Sequence, residues 1–97
     1  MFCKVHRAQD GTEVVAICDR ELVNTTIMHG DLPITINGSF YGTEERPEEE
    51  VMAILSRADN INIIGERSIR LALSLGVVDK DACVLLGTVP HAQVIRI

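Results

Sequence analysis

Aromatic residues are scarce in this 97-residue chain, which has one Tyr, two Phe and no Trp. Binders of single-stranded nucleic acid usually stack bases on aromatic rings, and that material is nearly missing here. Lysine is equally rare: Lys4 and Lys80 stand beside seven arginines, and the formal net charge is −5. Such a balance disfavours a general polyanion binder but leaves room for local basic contacts. No Cys-x-x-Cys occurs, and Cys3, Cys18 and Cys83 are odd in number and far apart. A secreted disulfide framework, a zinc knuckle and a thioredoxin-like site therefore have no support. His6 and His29 each lack metal-ligand spacing to another His or Cys, so no metal site is expected. No apolar run approaches the ~18 residues of a membrane span. The start Met1-Phe2-Cys3-Lys4-Val5-His6-Arg7 has no signal-peptide layout. These absences predict a soluble cytoplasmic protein with no membrane partner.

What is present is enough for a core. Hydrophobic residues make up 46% of the chain and charged residues 24%, which fits one globular domain over 1–97. Phe2 to Arg7 and Thr12 to Cys18 read as a hairpin around Asp10-Gly11. A two-residue turn there pairs Cys3 with Cys18 and puts Cys3, Val5, Val14, Ala16 and Cys18 on one face. Packed reduced thiols are the ordinary consequence, and a metal or redox pair is the alternative. Asp19 is placed to cap a short turn through Arg20–Val23. Leu32 to Ile36 alternates weakly and stops at the turn signal Asn37-Gly38, after which Ser39–Thr43 has no regular period.

Pro47 and Glu48-Glu49-Glu50 mark a helix start, and Val51, Ile54, Leu55 and Ala58 form one apolar stripe. Ile61 to Ile64 reads as a short strand ending at Gly65. A second helix is expected from about Glu66 to Leu75, with Gly76 as its C-cap. Cys83 to Leu86 reads as a buried strand, and Gln93 to Ile97 as a closing strand. Residues 61–86 thus predict a parallel βαβ unit of right-handed sense. The expected fold class is α+β: a single small domain, a mixed sheet with an N-terminal β-hairpin and a C-terminal βαβ unit, and two main helices.

Three segments are candidates for chemistry. At Asn60–Arg67 a strand meets a helix through Gly65, so free backbone amides are available to an anion and Arg67 adds a charge-assisted contact. The competing reading is a tight turn, with Glu66 favourably placed on the helix dipole. At Gly87–Gln93 a polar loop is expected, with His91 and Gln93 two apart and hence on one face of an extended backbone. His91 suits a general base or a phosphate contact, and Gln93 suits a base edge or a carboxylate. At Ser39–Gly42, Tyr41 and Phe40 either stack on a ligand or cap the end of the core. No catalytic constellation is complete: Ser39, Thr88 and Cys83 sit in no nucleophile motif.

Taken in order, Phe2-x-Lys4-Val5-His6, Phe40-Tyr41-Gly42, Asn62-Ile63-Ile64-Gly65-Glu66-Arg67 and Val89-Pro90-His91-Ala92-Gln93 resemble a small archaeal family, "domain of unknown function 424". The likeness spans essentially the whole chain. It implies an archaeal cytoplasmic protein without a cofactor, and its setting among translation and RNA-processing genes points to RNA or a ribonucleoprotein as partner. The family carries no assigned catalytic residues. The expected function is a non-catalytic binding module built from Lys4, His6, Arg67, His91 and Gln93, with Gly65 and Tyr41 as further candidates. The alternative is a small hydrolase or transferase on a phosphorylated or nucleotide ligand, with His91 as acid–base and Gly65 holding the anion. A protein–protein adaptor is the third reading, and its mark is a contiguous exposed apolar patch.

Overall fold

A computed structural model describes residues 1–96. Strands β1 (Phe2–Arg7) and β2 (Glu13–Cys18) form the expected hairpin, but its loop is Gln9-Asp10-Gly11. Gly11 N–H donates to Ala8 C=O, Ala8 N–H closes on Thr12 C=O, and Gly11 takes φ +89°. Asp10 locks the turn by accepting from both the amide and the hydroxyl of Thr12. The odd loop shifts the pairing by one, so Cys3 faces Ile17 and Cys18 faces Phe2. Because strand side chains alternate, that shift turns β2 over. Cys3 and Cys18 therefore lie in separate core clusters, which removes the redox or metal pair.

The other strands are β3 (Thr26–His29), β4 (Leu32–Thr35), β5 (Asn60–Ile64), β6 (Val84–Leu86) and β7 (Val89–Ile95). The helices are α1 (Gly38–Tyr41), α2 (Glu48–Arg57) and α3 (Glu66–Ser74). The main sheet runs β1-β2-β5-β7-β6, and β3-β4 is a separate hairpin. The class is α+β with a mixed sheet, as expected, but the parallel pair is β2 with β5. β5, α3 and β6 do follow one another as the expected βαβ over 61–86, with both strands running the same way, but the two strands are not adjacent. A tight turn at Gly87-Thr88 folds β7 back between β6 and β5, antiparallel to both. Val89–Gln93 is thus strand and not loop, and the strand expected over 93–97 is this one, with Ile97 outside the described residues. Being at the sheet edge, β6 leaves Val84 and Leu85 exposed instead of buried.

Helices α2 and α3 cover one face of the sheet. Val51, Ile54, Leu55 and Ala58 of the predicted stripe join Ile17, Ile61, Ile63 and Ala72 in the larger core. Pro47 stands one place earlier than expected, at the N-cap of α2, and the three glutamates fill its first turn. Gly76, at φ +71°, ends α3: its N–H bonds Leu73 C=O and that of Val77 bonds Ala72 C=O, a Schellman arrangement. On the opposite face Ile36, Tyr41, Ala16, Cys18 and Ile64 form a smaller cluster. Segment 39–43 is not irregular: Asn37 caps Ser39 and starts α1, which lies over β1 and β2.

Candidate functional site

Strand β5 reads Asn-Ile-Asn-Ile-Ile, so Ile61 and Ile63 enter the helix-side core while Asn60 and Asn62 take the other face. Strand β7 does the same, with Ala92 in the helix-side core and His91 and Gln93 opposite. The registers align Lys4, Ala16, Asn62 and Gln93 in one rung. The next rung is Phe2, Cys18, Ile64, His91 and Val84. Lys4, His6, Tyr41, His91 and Gln93 are thereby brought to one side of the sheet.

Asn62 joins them. Its Oδ1 accepts from the Tyr41 hydroxyl at 2.7 Å and lies 3.2 Å from His91 Nε2. Burial, helped slightly by Cys18, pushes the Tyr41 phenol up to about 12, so it keeps its proton and donates. An oxygen that only accepts requires the Nε2–H form of neutral His91, which turns the Nδ1 lone pair into a free acceptor. Lys4 Nζ donates to Ser39 C=O at 3.0 Å. His6 Nε2 is 2.6 Å from Phe40 C=O, and its ring stacks on Phe40 at 4.9 Å. Phe40 and Tyr41 pack on the smaller core cluster, so the capping reading of these aromatics holds. Gln93 is exposed, and its carboxamide has no hydrogen-bond partner among the described residues.

Burial holds the His91 imidazole below its ordinary value of 6.5. The unfolded chain therefore takes up this proton first, and stability from His91 is complete above about pH 6.5 and is lost as pH falls toward the folded value. Thermal melts from about pH 7.5 to about pH 5.5 should show a decline that His91→Gln makes shallower. An unchanged pH slope in that variant would contradict a buried neutral imidazole.

Gly65 and Arg67 belong elsewhere. Asp19 does not cap the turn at Arg20–Leu22; its carboxylate crosses to α3. There it accepts from Arg67 N–H at 3.0 Å, Ser68 N–H at 2.8 Å and Ser68 Oγ at 2.7 Å. The amides expected to cradle a ligand anion are filled by a buried anion of the chain itself. The Arg67 guanidinium pairs with Glu21. It rises from α3, which packs on the helix side, whereas His91 projects from the other face, so the two do not share a pocket.

Among the described residues no group of three or more His, Cys, Asp or Glu side chains is arranged to hold a metal ion. Nor, among the described residues, is any helix long and apolar enough to cross a membrane. The model of a protein family of unknown function, DUF424, matches residues 6–97. The chain belongs to the DUF424 family. In shape it is similar to the crystal structure of an uncharacterized conserved protein from the archaeon Methanopyrus kandleri. The TM-score is 0.79 at 23% identity, over 99% of this chain and 92% of that one. That likeness concerns the fold alone. No curated protein matches.

Two residues of this DUF424 chain matter more than their sequence signals suggested. Asn62 was visible as a polar residue inside an isoleucine run, where alternation alone places it opposite the core. Asp19 carried no such signal, because its partners lie 48 and 49 positions away.

Proposed function

We propose that this DUF424 protein is a non-catalytic binding module of RNA- or translation-associated assemblies, and that its contact surface is the β5–β7 sheet face. The observation that carries the reading is the convergence of Asn62, His91 and Gln93 on one sheet face, Asn62 and His91 half-buried beside Tyr41 of α1 and Gln93 exposed. Three neutral groups with free donors and acceptors suit base edges rather than phosphates. This reconciles an RNA partner with a net charge of −5. Val84 and Ile95, exposed at 55% and 64%, flank the polar centre and supply apolar contact. A cytoplasmic setting accompanies this reading, in keeping with three free cysteines. The hydrolase or transferase reading loses its anion cradle to Asp19 and its pairing of His91 with Arg67. The adaptor reading draws on the exposure of Met28, Leu32 and Leu85.

Sedimentation of the native protein from its own cell lysate tests the proposal. Migration with large particles that ends after ribonuclease treatment is expected. Migration as a free small species before and after treatment would overturn stable association with large RNA assemblies. Retention on particles after ribonuclease would favour the adaptor. In direct binding to single-stranded RNA, Gln93→Ala should weaken affinity about tenfold, with only a shallow dependence on salt.

A further inference from the structure

Strand β1 forms one edge of the main sheet, and its two ends are treated differently. Near Met1–Cys3 the edge is occupied by the chain itself. Glu45 bridges Phe2, Arg46 N–H donates to Met1 C=O at 3.0 Å, and Arg46 Nε donates to Cys3 C=O at 3.0 Å. Backbone direction alternates along a strand, so Val5 and Arg7, like Cys3, turn their N–H and C=O groups outward. The inward N–H of Ala8, bonded to Thr12, confirms that phase. Unlike Cys3, whose C=O is met by the Arg46 side chain, Val5 and Arg7 have no strand partner on the outer side among the described residues.

Beside this open stretch lies a cavity of about 600 Å³ between β1 and α2. Its apolar wall includes Val5, Val15 and Ile54, and its rim carries arginines. Arg7 pairs with Glu13 and Arg46 with Glu50, but Arg57 has no ion-pair partner among the described residues. An unpaired strand edge next to a helix-walled slot is the geometry in which extended peptides add to sheets.

We propose that this slot binds an extended peptide carrying an acidic side chain, which pairs its main chain with Val5 and Arg7 and sets its carboxylate on Arg57. Alternate side chains of such a peptide fall into the apolar slot, and the others face solvent. A second copy of this chain fits less well. Two β1 edges paired about Val5 would set Cys3 of each opposite Arg7 of the other, and the outer side of Cys3 is already taken by Arg46. The site is separate from the β5–β7 face and does not depend on the function proposed for it.

The test is selection of a random heptapeptide library displayed on phage against the full chain, followed by amide exchange with a synthetic winner. Enriched peptides should contain Asp or Glu among alternating apolar residues. The bound peptide should slow exchange at Val5 and Arg7 and leave the already paired Lys4 and His6 amides unchanged. Arg57→Glu, an exposed substitution, should lower affinity on the order of tenfold while the melting temperature stays within a few degrees. The proposal fails if nothing is enriched, if winners lack an acid, if Val5 and Arg7 gain no protection, or if Arg57→Glu binds as tightly. It fails equally if the edge is protected in the free protein through dimerisation.

Discussion

Gly65→Ala is expected to destabilise the protein by about 3–5 kcal/mol. Gly65 sits at φ +113°, a conformation in which L side chains are strained. A Cβ built there meets Asp19 Cγ at 2.4 Å and its two oxygens at 2.6 and 2.7 Å. The carboxylate cannot swing away cheaply, because three hydrogen bonds to Arg67 and Ser68 hold it. For a domain of this size the loss corresponds to a fall in melting temperature of about 12 °C or more. Thermal or urea unfolding measures it, and a loss below about 1 kcal/mol would contradict the tight Gly65–Asp19 contact.

The partner substitution, Asp19→Ala, should cost about 3 kcal/mol. It leaves two amides at the start of α3 and the buried Ser68 hydroxyl without their acceptor. Asp19→Asn retains one acceptor oxygen and should lose less. With the carboxylate gone, the clash at position 65 is relieved, so Gly65→Ala should cost at least about 1 kcal/mol less in the Asp19→Ala background than alone. Sulfate stabilises most proteins by exclusion from their surface, but Asp19→Ala should gain more from it than the parent does, because its helix start is then open to an anion. Equal gains, together with strict additivity of the two substitutions, would contradict the internal-anion account.

These contacts also mark where sequence reasoning reached and where it stopped. The α2 stripe and the Gly76 cap were legible because helical periodicity and helix ends are local signals. The register of the first hairpin was not, since Asp10-Gly11 accommodates a two- or a three-residue loop and the choice inverts every side chain of β2. The position of β7 between β5 and β6 depends on strand order, which no local pattern encodes. Gathering Lys4, His6, Tyr41, His91 and Gln93 on one face followed from alternation plus pairing, so only half of it was readable. Arg67 was grouped with them by chain proximity to Gly65, and its helix carries it to the other side.

The central claim is that a neutral amide and imidazole cluster on the β5–β7 face contacts RNA. The most direct measurement is an NMR titration of the labelled protein with a random-sequence single-stranded RNA octamer, read at the side-chain NH2 signals of Asn62 and Gln93. The account predicts that these two signals shift together with backbone amides of β5 and β7, and that the shifts persist at moderate salt. Shifts confined to the arginine-bearing helix side, or no shifts at all, would contradict it.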